Sequence, residues 1–590
     1  MKISFQTGDA PGNERPPLRV LLLADLAASR APTHPFVLAE PADLPKLLVE
    51  LAPELLLEVP NRLGGAPSTF EVRLHLGSLR DLQPEAVAEQ LPDLAPLRRF
   101  LEQVGGQAAG SAELEQALAP FAGVPALEEP LRICRSVPPP AAPSPAAPPS
   151  TTPGDASVDR ILDLVSAPPP EARAASAIGA IVGVVGRGRR APAAAPGSPV
   201  QQALRLVAAR VGEQLDAVMH HPELQRVEAA WRGLKLLVDR TDFRRGIRLE
   251  VLPVARPRAG DPLLEQVLDE TTASYDLLFA AYAFDNPATD AELVQWLGER
   301  AEALQAPLVF SLGAGFFGLT DPAGAAELRY PGTLFEQPQY TKWNALRDKD
   351  CARWLAGLHN RFLLRPPHAP AKDAPRRELL YSEGISRPAD HLWGDPVWLV
   401  ASLVVRSFAE CGWPTEISGT TGGRIDDLSV RTVQLAGRGA VELPLEAALS
   451  QQLVQDLAQL GVSALFAPEN SDAAFLLYTP TLFRIPEQQG VKPRRGRIAA
   501  LPYQLLAARL AQAVAGFKVQ LAGLSTEEMR QRLSRFVYDL VGETGGGASV
   551  DVQINRDPEQ ASRVIATVET HMGKGVLGGA TVELNFLLAG

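Results

Sequence analysis

The stretch HHPELQRVEAAWRGLKLLVDRTDF, His220 to Phe243, decides how the rest of the chain is read. Pro222 follows two histidines and suits the first position of a helix, where a missing N–H costs nothing. From there Leu224, Val227, Trp231, Leu234 and Val238 recur at spacings of three and four, which places them on one apolar stripe. Just upstream, Leu204, Val207, Val211, Leu215 and Val218 make a second stripe. Two amphipathic helices meeting at a proline stop are expected, with His220 and His221 as stop and cap. Adjacent histidines face different ways, whereas zinc wants ligands at i, i+4 and a distant third, so no metal is assigned.

Working outward, strands and helices alternate to about Ala515, and the tail then changes character. ASVDVQIN, SRVIATVET and ATVELNFLL are strand-like runs, the last with Val582, Leu584, Phe586 and Leu588 on one face. Upstream of the helices, VPPPAAPSPAAPPSTTP (Val137–Pro153) has eight prolines in seventeen residues and no charge, so it reads as an extended spacer. The N-terminal part opens with a short strand pattern, Ile3 and Phe5 alternating with polar residues. It continues with LRVLLLADL as a buried strand, helical spacing across Pro41–Leu55, alternation at Phe70, Val72, Leu74 and Leu76, and a helix in DLAPLRRFLEQV. This is a mixed α/β pattern. The expected organisation is a unit over 1–134, a linker over 135–198, a second unit over 199–547 and a β-rich segment over 548–590.

The 590 residues suffice for roughly three to five compact units. A net charge of −11 is small for this length and gives no field to draw in nucleic acid or anionic lipid. Cys134, Cys351 and Cys411 are far apart and form no C-x-x-C pair, which fits reduced thiols in a cytoplasm. MKISFQTGDAPGNERPP lacks the apolar core of a signal peptide. ASAIGAIVGVVG (Ala175–Gly186) is too short for a spanning helix, which needs about 20 apolar residues, so no membrane insertion is expected.

Several glycine clusters compete as sites. APLVFSLGAGFFG (Ala306–Gly318) runs a strand into G-x-G-x-x-G at 313–318, the pattern of a dinucleotide-binding turn. Yet Pro322 and Gly324 stand where the following helix should continue, and Phe316 and Phe317 read as core anchors. GTTGGR (Gly419–Arg424), GETGGG (Gly542–Gly547) and GKGVLGG lack the phosphate-loop ending and read as turns. KPRRGR (Lys492–Arg497) is a basic loop without aromatic residues for base stacking. No catalytic residue, cofactor or metal site is nominated.

His220–Phe243 resembles the large sheath subunit of bacterial type VI secretion systems, TssC or VipB. The resemblance continues through TKWNALRDKDCARWLAGLHNRFLLRPP, HLWGDPVW, SFAECGWPTEISGTTGGRIDDL and PENSDAAFL, in order. LRVLLLADLAASR, LVELAPELLLEVPNRL and VRLHLGSLRDLQPEAVAEQLPDLAPLRRFLE resemble the small subunit, TssB or VipA. The family has these as two chains; here the proline spacer fuses them, which fixes a one-to-one ratio and raises the effective concentration of each half near the other.

The resemblance implies a contractile-sheath fold and a cytoplasmic helical polymer of this chain around an inner Hcp tube, in contact with a baseplate. Strand runs at both ends suit edge pairing between neighbours. The expected inter-protomer strands are Lys2–Thr7 with Ile3 and Phe5, Ser549–Asn555 with Val550, Val552 and Ile554, and Thr581–Leu588 with Val582, Leu584 and Phe586. The family's large subunit also carries a helix recognised by a ClpV-type AAA+ unfoldase. SVDRILDLV (Ser157–Val165), with Ile161, Leu162, Leu164 and Val165 as anchors, resembles it; a short helix packing on its own body is the other reading. Two rivals stay open on residues alone: an NAD-linked oxidoreductase resting on 313–318, and a soluble binding scaffold that does not polymerise.

Overall fold

A strand that is apolar on both faces belongs in the middle of a sheet, and Leu18–Ala24 (β1) lies there. In this computed structural model β1 runs parallel to Ile247–Pro253 (β5), with Leu18 opposite Ile247. On its other side it runs parallel to Leu277–Phe284 (β6), with Val20 opposite Leu277. Leu308–Leu312 (β7), Leu355–His359 (β8) and Val462–Phe466 (β14) extend the parallel sheet. Antiparallel strands end it: Phe36–Leu38 (β2) beyond β5, and Ala474–Leu476 (β15) then Arg424–Ile425 (β11) beyond β14. The stretch before the linker and the stretch after it therefore share one nine-stranded sheet. The described residues are 16–28, 32–63, 67–104, 112–135, 199–269, 274–369, 381–435, 439–485, 498–542, 549–556, 564–571 and 581–588.

Alternation along β1 feeds two cores. Val20 and Leu22 join a cluster with Trp231, Leu234 and Leu215, while Leu21 and Leu23 join one with Val294, Leu297 and Trp343. Burying these four strand side chains is worth about 6–12 kcal/mol as an upper bound. Helices supply both outer layers, as the periodicity predicts. Pro199–Met219 (α4) and Pro222–Asp239 (α5) pack on one face, with Asp43–Leu51 (α1), Ala95–Val104 (α2) and Glu128–Arg135 (α3) beside them. Pro396–Cys411 (α7) joins the same face, and Pro287–Leu304 (α6) covers the other. His221 caps α5 by accepting from the Glu223 N–H, and Pro222 is its first residue.

Smaller sheets complete the architecture: Glu54–Pro60 (β3) with Thr69–His75 (β4), Phe362–Leu363 (β9) with Trp393–Gly394 (β10), and Arg431–Leu435 (β12) with Gly439–Leu443 (β13). The helical reading of Pro41–Leu55 is corrected at its end. The helix stops at Leu51, Ala52 takes a left-handed φ of 41°, and Glu54 and Leu55 begin β3. Pro53 cannot continue a helix, so the chain turns there. Gly419–Gly422 is a single helical turn rather than a plain turn, with positive φ only at Gly419. Gly423 is needed for close approach instead: a Cβ there would lie 2.2 Å from the Leu476 carbonyl oxygen. Among the described residues no helix is long and apolar enough to cross a membrane.

Candidate assembly site

The tail forms a third core. Leu501–Phe517 (α8) and Thr526–Gly542 (α9) make a platform, stacked through Phe517 and Phe536 at 4.1 Å between ring centroids. Three antiparallel strands lie on it: Ser549–Arg556 (β16), Val564–His571 (β17) and Thr581–Leu588 (β18), with β17 central. Of the residues expected to make inter-protomer strands, Val552 and Val582 are buried against the helices, and Val550, Ile554, Leu584 and Phe586 pack on the same core. The structure thus brings two of the three expected strands together, each on an outer edge. Ile3 and Phe5 lie outside the described residues, as do the linker, Ile161, Leu162, Leu164 and Val165, the KPRRGR loop, Glu543–Gly547 of GETGGG, and GKGVLGG.

Period-two alternation puts mostly apolar side chains inward and leaves the outer face mostly polar, with Ile565 the exception on β17. Asp551, Glu569 and Glu583 stand in one cross-strand row there, an arrangement that favours solvation of that face. The edges matter more. The nine-stranded sheet ends in strands of three and two residues, the usual way of blunting an edge, whereas β16 and β18 are eight residues each and contain no proline. Each presents a row of backbone N–H and C=O groups to whatever lies beside it.

The site is tied to both halves of the chain. Arg509 is the sole charge in the apolar run of α8 and is 1% exposed. It donates to the Pro17 carbonyl at 2.9 Å and to the Pro16 carbonyl, and pairs with Asp276 at 3.3 Å. Asp276 in turn accepts from the Arg19 N–H at 2.8 Å, and burial pushes its carboxyl pKa up against the pull of Arg509. Tyr503, on the same helix, donates to the Thr581 carbonyl at 3.3 Å. One helix therefore holds both the start of β1 and the start of β18. Elsewhere along the seam Trp231 donates to the Leu26 carbonyl at 3.2 Å, and Gln214 accepts from the Arg62 N–H at 2.7 Å. Sequence reading missed Arg509; the one signal available was a lone arginine among apolar helix residues.

His220 belongs to a buried network rather than a metal site. Its Nε2 lies 3.2 Å from Glu383, which also binds Arg365 at 2.6 Å, while Arg365 reaches Glu228 at 2.9 Å. Burial opposes ionisation of Glu383, but hydrogen bonds from His220 and Arg365 override it and hold the carboxyl at about 2.

The glycine-rich turn at 313–318 cradles a residue of its own chain. Gly315 N–H donates to Asp285 Oδ1 at 3.2 Å, and a Cβ on Gly313 would fall 2.0 Å from that oxygen. A carboxylate occupies the place a pyrophosphate would need, and the residues after it form a 3-10 turn, Ala314–Phe317, with Phe316 and Phe317 buried. The dinucleotide reading is therefore set aside. Gly313→Ala is expected to cost about 1–3 kcal/mol, with Asp285→Ala restoring most of it, as read from urea unfolding midpoints.

Comparison with known proteins finds two family matches along the chain. Residues 1–131 match the family described as type VI secretion system, VipA, VC_A0107 or Hcp2. Residues 201–272 and 269–482 match VipB, described as EvpB/VC_A0108, tail sheath N-terminal domain. The type VI secretion system sheath protein TssC1 of Pseudomonas aeruginosa is 25% identical over 339 residues, covering 53% of this chain and 67% of that protein. A chain of the anti-feeding prophage baseplate is similar at a TM-score of 0.31 and 11% identity, over 61% of this chain and 77% of that one. The sheath tail protein Lin1278 of Listeria innocua gives 0.30 and 10%, over 55% and 58%. The two structural likenesses are too distant to carry inference. With a VipA-type region ahead of a VipB-type region in one polypeptide, the chain belongs to the type VI secretion sheath proteins, as a fused small and large subunit and a structural component of the contractile sheath.

Proposed function

We propose that the chain polymerises into helical rings around an Hcp inner tube in the cytoplasm, joined to a baseplate, and contracts to drive the tube outward. The observation that carries this reading is the contrast in edges: blunted on the nine-stranded sheet, long and, among the described residues, unpaired on β16 and β18. Backbone pairing at such edges is indifferent to side chains and tolerates reorientation of the bodies it links. The segment around Ile3 and Phe5, expected from its alternation to pair as a strand, is the natural third partner, because Pro16 and Pro17 are pinned to the same helix that carries β18. Contraction then draws its energy from better packing in the final lattice. Disassembly through a ClpV-type unfoldase acting at Ile161, Leu162, Leu164 and Val165 belongs to the same proposal.

Negative-stain microscopy of the purified chain, alone and with its tube protein, tests it. Tubes of uniform diameter are expected in at least one of the two preparations. Dispersed particles in both would overturn the reading and favour a non-polymerising scaffold.

A further inference from the structure

A cleft of about 640 Å³ opens at the C-terminal ends of β6, β7 and β8. Ligands of parallel α/β sheets bind at that end, and the volume lies within the usual small-ligand range of about 300–1,000 Å³. Three arginines line it, each already committed: Arg226 to Asp25 at 2.5 Å, Arg256 to Asp290 at 2.7 Å, Arg361 to Glu446 at 2.5 Å. Among the described residues two carboxylates on the wall, Asp285 and Asp395, have no cation of their own; both lie within Coulombic reach of the Arg361 guanidinium, which Glu446 neutralises.

The proton inventory on the wall is short by one. Ser311 Oγ lies 2.7 Å from Asp395 Oδ2 and 3.0 Å from the Tyr282 carbonyl, but a hydroxyl has one proton to give. If it serves Tyr282, Asp395 must itself be protonated; if it serves Asp395, the carboxylate stands ionised beside the cleft. His359, 4% exposed, is independent of that pair. Its Nδ1 sits 2.9 Å from the Leu312 carbonyl, which can only accept, so Nδ1 carries the proton. Burial pushes the His359 pKa down and keeps the ring neutral, leaving Nε2 as a buried acceptor with no partner among the described residues. His359 Nε2 and the lone pairs left on Asp285 and Asp395 beyond their bonds to Gly315 and Val397 are the acceptors this wall offers, and His391 Nδ1 is the other unpaired atom on it among the described residues.

We infer that this cleft binds an ammonium group, from a polyamine or from a lysine side chain, with Asp395, Asp285 and His359 as its acceptors. An ammonium donates three N–H bonds and brings the missing positive charge, and Trp393 and Trp398 offer apolar wall for an aliphatic stem. A metal ion fits less well, because no three ligating side chains converge among the described residues. Burial raises the Asp395 carboxyl to about 6, against the pull of Ser311, so it is mostly ionised at pH 7.5 and mostly protonated at pH 5. The other groups around it are Ser311, Arg361 held by Glu446, Asp285 at the rim, and His359 and His391, whose pKa values burial pushes down.

The test is calorimetry on the full chain at physiological salt, with spermidine in one arm and Nα-acetyl-lysine amide in the other. Saturable spermidine binding is expected at pH 7.5, weaker by roughly tenfold at pH 5 as Asp395 takes up its proton. Asp395→Asn should weaken it at least tenfold while the chain stays folded, since Asn caps the α7 N-terminus as Asp does. Should that variant fail to fold, Asp285→Asn at the exposed rim is expected to weaken binding severalfold. Much tighter binding of spermidine assigns the site to a free polyamine; equal binding of the lysine probe assigns it to a protein side chain. No saturable heat with either probe, or binding untouched by the carboxamide substitutions, overturns the inference.

Discussion

One of the two variants Leu584→Pro and Asn585→Pro should yield folded protomers that make no tubes. Successive N–H groups along a strand point to opposite edges, so one of these prolines removes a bond to β17 and the other strikes only the open edge of β18. Loss of an edge hydrogen bond, with its partner left unsatisfied, costs about 1–3 kcal/mol per contact, or roughly fivefold to 150-fold. In a polymer this penalty recurs at every joint, so partial weakening of a single joint becomes loss of assembly. Circular dichroism separates the folded variant from the damaged one, and microscopy counts tubes. Normal tubes from both variants would remove the edge-pairing reading.

Arg509→Met is expected to have the largest effect on stability. It strips the ion-pair partner from buried Asp276 and releases the carbonyls of Pro16 and Pro17. Breaking a buried pair from one side costs about 3–5 kcal/mol, because the remaining charge stays uncompensated. Adding Asp276→Asn removes that charge and should recover part of the loss, so the two substitutions are strongly non-additive. Urea unfolding of the four chains measures this, and faster hydrogen exchange at Leu18–Leu23 would locate the damage at the seam.

How much of this was legible depended on whether the physics was local. The α4–α5 pair could be read from spacing, the proline stop and the histidine cap, because each of those signals acts within one or two turns. β1 could be read as buried on both faces but not placed, since its partners β5 and β6 lie beyond the linker and parallel pairing leaves no turn to mark it. The run Pro41–Leu55 misled at its end because leucines satisfy helical and alternating spacing together, and Pro53 alone signalled the break. Gly313 and Gly423 resembled ligand-binding or turn glycines; what demands them is Asp285 in one case and the Leu476 carbonyl in the other, neither adjacent in sequence. The tail strands were legible as strands, but the platform beneath them and its Arg509 tether depend on contacts no short window contains.

The position of β1 has a consequence for synthesis. Arg19 and Asp276 are 257 positions apart, so the first strand leaves the ribosome well before the segments that flank it. At about 5–20 residues per second, LRVLLLA waits about 10–50 s for the strands on either side of it. Separate genes could supply the flanking strands ready-made from a finished partner chain; a fused gene cannot. Any chain that terminates early, before Ile247, carries an apolar β segment without the two strands that flank it.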